Sequence, residues 1–219
     1  MPDPFDLFDA IYCINLDSRP DRWHAAQQEL LRVGIADRVE RFAAIVPAHG
    51  PSGEGCARSH QEIVRAAHAA GRRNVLVLED DVVFAWDTAT TLRLAREQLA
   101  GLHWDVLYLG ATAFQLLENV SANLVRIRNC YATHAICYNA SIYPVVLEQL
   151  RPGEHLIDVW LSIQVQPHFH CLGVYPLVAS QRAGYSDISG QFANYTLITS
   201  NYRTEPTSAI TPFPERRSW

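Results

Sequence analysis

The chain has 219 residues, is 48% hydrophobic and carries a formal net charge of −5 with a pI near 6.0. That length suits one large domain or two small ones with a real core, and the acidic balance excludes a broad surface for nucleic acid or anionic membrane. All 18 basic residues are arginines, so any anion held by a side-chain cation is held by Arg or His.

The opening "MPDPFDLFDA" is acidic and lacks the basic and apolar regions of a secretory signal. No apolar run approaches the ~20 residues that span a bilayer. The five cysteines form no C-x-x-C pair, and Cys13 and Cys137 sit in apolar runs as small core residues. A reducing cytoplasmic location is expected.

In chain order, "AIYCINL" (10–16) reads as a buried strand. A helix is expected over about 21–33, capped by Asp17 or Ser18, with Pro20 in its first turn and Gly34 as its stop. "RVERFAAI" is a second strand. "PAHGPSGEG" (47–55) is a loop rich in Gly and Pro, and a helix follows over about 56–70. "NVLVL" (74–78) does not alternate, which indicates a strand buried on both faces, as in a parallel sheet between helices. Asp87 is placed to cap a helix reaching about Leu99. "WDVLYLG", "NLVRI" and "ATHAICY" are further strands, and "ASIYPVVLEQL" is a helix that Pro144 distorts or shifts. The alternation of strand and helix implies a three-layer α/β sandwich. Residues 1–189 form a single domain, and 190–219, polar and aromatic, form a wrap or flexible tail.

Three consecutive carboxylates, Glu79, Asp80 and Asp81, follow the third strand directly, and apolar sequence resumes at Val82. Ligands of open α/β sheets bind beyond the carboxyl ends of strands. In extended backbone Glu79 and Asp81 point to one side and Asp80 to the other. Like charges brought together raise each other's cost, which a hard divalent cation relieves; oxygen ligands favour Mg²⁺, Mn²⁺ or Ca²⁺ over Zn²⁺. A solvated turn is the plainer alternative.

"YCINLDSRPDRW" at the first strand, "GEGCARSH" opening a helix, "LEDDV" after a later strand and "YPLVASQRAGYSDIS" near the C-terminus occur in an order and spacing that resemble glycosyltransferase family 25. That family includes lipooligosaccharide galactosyltransferases and collagen galactosyltransferases. "THAICYNASIYPVVLEQL" is similar to its strand-then-helix segment, so the resemblance spans about 11–189. It implies a GT-A-like fold, with a Rossmann-like nucleotide-binding half and a smaller acceptor-side region. It implies a UDP-sugar donor, Mn²⁺ (or Mg²⁺) as cofactor and inverting transfer of a hexose, galactose first. The acceptor class is a glycan, a lipid-linked glycan, a peptide or a small molecule; peripheral membrane contact stays open. The chain is short for the family, and the pattern after "ATHA" is kept only loosely.

The resemblance assigns Glu79 and Asp81 to the metal, with Asp81 its closest ligand, and Glu79 and Asp80 to the donor. Asn15, Arg19 and Arg22 are placed to reach the nucleotide, Arg matching phosphate through its planar fork; the competing role is simply to start a helix. Two glycines in "GEGCARSH" put free backbone N–H groups where an anion can bind, and the resemblance extends this to Ser59 and His60. His60 is otherwise a packing histidine. His168 and His170 in "HFHC" lack the further ligands a zinc site needs. Asp158 in "LIDVWL" is the expected catalytic base, where the family also has an Asp; the alternative is a helix N-cap. Asp187 is second in line and Glu54 third. Rival functions are a metal-dependent phosphohydrolase or nucleotidyltransferase, and a non-catalytic nucleotide-binding relative. A two-metal hydrolase needs more acidic ligands, and Asp9 and Asp105 stand at the wrong strand ends.

Overall fold

A computed structural model describes residues 3–48, 52–188 and 190–194. Strand β1 (Ile11–Asn15) leads through helix α1 (Pro20–Arg32) to β2 (Val39–Ala43), and α2 (Ser52–Ala69) leads on to β3 (Asn74–Glu79). β1 pairs in parallel with both β2 and β3. The order β2-β1-β3 therefore reverses direction at β1, which opens a crevice beyond the ends of β1 and β3, the position where such sheets bind ligands.

After β3 the chain turns at residues 80–81 into β4 (Val82–Phe84), then α3 (Thr88–Leu99), β5 (Val106–Tyr108), β6 (Thr112–Ala113), β7 (Glu118–Ser121), β8 (Leu124–Arg126), β9 (Cys130–Tyr131) and β10 (Ala135–Asn139). Helices α4 (Tyr143–Gln149) and α5 (Ile157–Trp160) follow, then β11 (Cys171–Val174), β12 (Ala179–Gln181), β13 (Gly184–Ser186) and β14 (Gln191–Ala193). The central sheet has eight strands in the order β2-β1-β3-β10-β5-β11-β8-β7. It is mixed: β10 runs antiparallel to both β3 and β5. The expected burial of β3 on both faces holds, with Val75, Leu76, Val77 and Leu78 fully buried, although only one of its neighbours is parallel.

Alternation along these strands feeds two cores. Cys13, Leu76, Leu78 and Cys137 face one side and meet Ala26 and Leu30 of α1 and Leu92 and Ala95 of α3. Ile14, Val75, Val77 and Tyr138 face the other and meet Ile63 and Val64 of α2, Val146 of α4 and Trp160 of α5. Helices thus cover both faces of one sheet, the three-layer α/β sandwich expected from the alternating elements.

Local expectations differ in instructive ways. α2 starts at Ser52, so Gly53 and Gly55 lie within its first turns, not before them. An added Cβ on Gly55 would stand 2.2 Å from the Ile45 carbonyl oxygen, and one on Gly53 2.1 Å from Leu156. These glycines permit close packing of the preceding chain and of α5. Arg19, not Asp17 or Ser18, is the N-cap residue of α1, and Asp17 pairs with Arg41 at 2.7 Å instead. Asp87 occupies the N-cap position of α3 but accepts from the Thr91 hydroxyl and makes no capping bond to backbone. Pro144 lies in the first turn of α4, where a missing N–H costs nothing, and does not distort the helix. The segment after residue 189 begins with β14, which pairs with β13 as a hairpin; the remainder of the expected tail, 195–219, lies outside the described residues.

Candidate functional site

The crevice at the ends of β1 and β3 opens into a cleft of about 360 Å³ whose lining includes Asn15, Arg22, Glu79, Asp80, Asp81 and Asp187. A second cleft of about 330 Å³ adjoins it and is lined by Tyr131, Ala132, Thr133, Leu156 and Asp158 among others. Cys56, Glu79, Gln181, Ser186 and Ile188 line both, so the two are lobes of one site, with Glu79 at the junction.

The carboxylates are placed by the end of β3. Residues 80–81 turn instead of extending, which breaks the expected alternation. Arg22 Nη2 contacts both Asp80 Oδ1 and Asp81 Oδ2, the latter at 3.0 Å, while Glu79 goes elsewhere and accepts from the Thr133 hydroxyl at 2.7 Å. Asp80 and Asp81 therefore share one side and one guanidinium. Pro20 starts α1 just beyond β1, and that sets Arg22 in the first turn, against the carboxylates that follow β3.

Asn15 is buried and its side chain is fully engaged. Nδ2 donates to Asp80 Oδ2 at 2.6 Å and to the Arg19 carbonyl at 3.0 Å, and Oδ1 accepts from Arg41 Nη2 at 2.8 Å. It positions Asp80. Arg19 Nη1 donates to Asp187 at 2.5 Å while its other nitrogens hold Asp21, and Asp187 also lies 3.5 Å from Arg22. Asp187 thus joins the ion-pair network of the first lobe.

Burial raises the carboxyls of Glu79, Asp80 and Asp81; Arg22 opposes the rise at the two aspartates, and Asp81 adds to it at Glu79. One oxygen of this group is left over: Asp81 Oδ1 is buried without a hydrogen-bond partner. Asp80, Asp81 and Asp187 line the first lobe with Arg22, and Arg19 pairs with Asp187 from beside it, so aspartates outnumber guanidiniums three to two and a nucleotide diphosphate meets no net positive charge there. A divalent cation on Asp81 Oδ1 fits both observations.

Asp158 lies in the first turn of α5 and lines the second lobe. Its Oδ1 accepts from the Val159 N–H at 2.8 Å and its Oδ2 from the Ala132 N–H at 3.2 Å. Ala132 has φ of 68°, a left-handed backbone that strains an alanine and that Asp158 helps to hold.

Three expected donor contacts, Arg19, Ser59 and His60, lie outside the lining of both lobes. Ser59 is buried; its hydroxyl donates to the Gly55 carbonyl at 2.8 Å and accepts from the Ile45 N–H at 2.9 Å, tying the preceding segment to α2. His60 is fully buried with Nδ1 3.1 Å from the Tyr138 hydroxyl, and burial lowers its imidazole to about 3. Glu54 pairs with Arg58 at 2.6 Å and lines neither lobe. The sequence reading passed over Cys56, Thr133 and Gln181; only the C-x₃-H spacing of Cys56 and His60, one helical turn apart, offered a signal. It also left His170 without companions, whereas β5 and β11 pair in parallel and bring His103 and Asp105 beside it.

No family model matches the chain, and no curated protein does. Among solved structures, it is similar to A197 from STIV (10% identity, 95% of this chain and 99% of that one, TM-score 0.49). It is also similar to a glycosyltransferase involved in glycosylation of the major capsid of PBCV-1 (8%, 89% and 89%, TM-score 0.48). A third is mannose-1-phosphate geranyltransferase from Thermus thermophilus (11%, 75% and 72%, TM-score 0.47).

Proposed function

We propose that this chain is a glycosyltransferase that moves a hexose, galactose first among candidates, from a UDP-sugar to a hydroxyl acceptor, with metal dependence and inversion. The observation that carries this reading is the two-lobed cleft. Its first lobe is too acidic to take a diphosphate unaided and has a buried carboxylate oxygen to spare, and its second lobe offers a separate carboxylate. The motif resemblance supplies the chemical class, with a GT-A-like architecture.

Asp81, with its unpartnered buried oxygen, would hold a divalent cation, Mn²⁺ or Mg²⁺, and Asp80 is kept in place by Asn15 and Arg22. When bound, such a cation neutralises the diphosphate and stabilises the departing nucleotide. Arg22 stays available to shift its fork from the aspartates toward phosphate. The donor's nucleotide occupies the first lobe, and the sugar reaches the junction at Glu79. The acceptor enters the second lobe. Its hydroxyl oxygen attacks the anomeric carbon as the bond from that carbon to the phosphate oxygen breaks. The Asp158 carboxylate takes the hydroxyl proton, and UDP leaves. The hairpin of β13 and β14 borders the first lobe at Ser186, Asp187 and Ile188, where closure excludes water from the donor.

The test is Asp158→Asn. Transfer slows by roughly 10²–10⁴-fold, the usual contribution of a general base, while UDP affinity is unchanged because Asp158 stands in the other lobe. Transfer at the wild-type rate removes Asp158 from the chemistry and leaves it as the clamp on Ala132.

A further inference from the structure

A second constellation at the junction of the lobes is chemically unlike the aspartates. α2 carries Cys56 and His60 four residues apart on one face, and Glu79 ends β3 opposite them. The Cys56 thiol sulfur, an imidazole nitrogen of His60 and a Glu79 carboxylate oxygen all lie within 4.8 Å of one another.

His60 decides how this group is read. The ring is fully buried, and its Nδ1 meets the hydroxyl of Tyr138, itself buried, at 3.1 Å. Its Nε2 is buried and has no hydrogen-bond partner. Leaving a buried ring nitrogen bare costs about 1–3 kcal/mol, and at His60 a thiol and a carboxylate stand close enough to share an ion with it. In the tautomer whose Nδ1–H donates to the Tyr138 oxygen, Nε2 is left with a free lone pair, the state in which a metal-binding histidine is held by a partner on its other nitrogen. Glu79 is supported likewise, since the Thr133 hydroxyl donates to its Oε1.

We infer that Cys56, His60 and Glu79 form a binding site for a borderline transition-metal ion of the Zn²⁺ or Co²⁺ class, separate from the oxygen-only position at Asp81. A thiolate with an imidazole selects such ions over Mg²⁺ and Mn²⁺. Three protein ligands leave a fourth position open, the arrangement of sites that act on a bound molecule. That position has access from the cleft, because Cys56 and Glu79 line both lobes. Binding converts the Cys56 thiol to thiolate and releases its proton to solvent. The other cluster of this kind among the described residues, His103, Asp105 and His170, has a weaker claim. Both Asp105 oxygens are already bonded there, to the Ser141 hydroxyl at 2.6 Å and the His170 N–H at 2.9 Å.

The site is tested without any nucleotide, so its failure is distinct from failure of the transferase reading. Metal-free protein is titrated with Co²⁺ and followed by absorption. One equivalent per chain produces a thiolate-to-cobalt charge-transfer band, which Zn²⁺ displaces. Cys56→Ser abolishes the band, His60→Gln weakens Co²⁺ binding at least tenfold, and His103→Ala leaves both intact. A second measurement needs no variant: Zn²⁺ slows alkylation of Cys56, which is half-buried while Cys13, Cys130, Cys137 and Cys171 are buried. Absence of the band in the unaltered chain, its survival in Cys56→Ser, or alkylation of Cys56 at the same rate with and without Zn²⁺ overturns the inference.

Discussion

Replacing Arg22 by methionine removes the guanidinium that Asp80 and Asp81 share and keeps the apolar stem. At 3.0 Å the gross attraction of Arg22 for Asp81 is about 5 kcal/mol at an effective dielectric constant near 20. Desolvation of the guanidinium offsets much of it, so the net worth of the pair is far smaller. Removing one partner is another matter, because the carboxylates stay. Breaking a fully buried pair costs about 3–5 kcal/mol. The Arg22 and Asp81 side chains each keep 19% of their exposure, and solvent screens part of the interaction. About 2–3 kcal/mol is therefore the expected loss for Arg22→Met, read by urea unfolding. A cation able to sit on the vacated aspartates restores stability: Mn²⁺ at a hundred times its Kd returns about 2.7 kcal/mol. The unaltered chain gains less from Mn²⁺ alone, since Arg22 already offsets the charge of Asp80 and Asp81. A loss below about 0.5 kcal/mol, or equal Mn²⁺ stabilisation of both proteins, refutes the reasoning.

Two further outcomes follow from the surroundings of the site. Gly55→Ala gains about 1 kcal/mol of helix propensity, but its Cβ meets the Ile45 carbonyl at 2.2 Å and Pro47 at 3.0 Å, and overpacking costs about 1–3 kcal/mol. Urea unfolding shows a net loss, and a gain in stability would remove the close approach as the reason for glycine. Burial disfavours the charged imidazole and lowers His60 to about 3 and His134 to about 4, so both rings stay neutral as pH falls from 7 to 5. Nitrogen chemical shifts from an NMR titration check this, and protonation of either ring in that range contradicts it.

Much of the frame was legible in the chain. The unbroken apolar run of 74–78 marked a strand covered on both faces, and the carboxylates after it marked the end of the sheet where the cleft opens. The Pro20 helix start correctly set Arg22 near that end. What escaped depended on contacts between distant residues. Strand order was hidden, because nothing in "ATHAICY" says that it inserts antiparallel between β3 and β5. The glycines of "GEGC" read as an anion cradle; the carbonyl of Ile45 and the side chain of Leu156 explain them, and neither is adjacent in sequence. The side on which Asp80 points was misjudged because a strand's alternation ends where the turn begins. Cys56 went unremarked because its partner Glu79 lies on another element.

The central claim is that an acidic first lobe accepts a nucleotide diphosphate only together with a cation on Asp81. Calorimetric titration of UDP, with and without Mn²⁺, into the unaltered chain and into Asp81→Asn tests it most directly. The account predicts that Mn²⁺ strengthens UDP binding at least tenfold in the unaltered chain and has no such effect in Asp81→Asn. Equal UDP affinity with and without Mn²⁺ in the unaltered chain, or the same Mn²⁺ enhancement in both proteins, contradicts it.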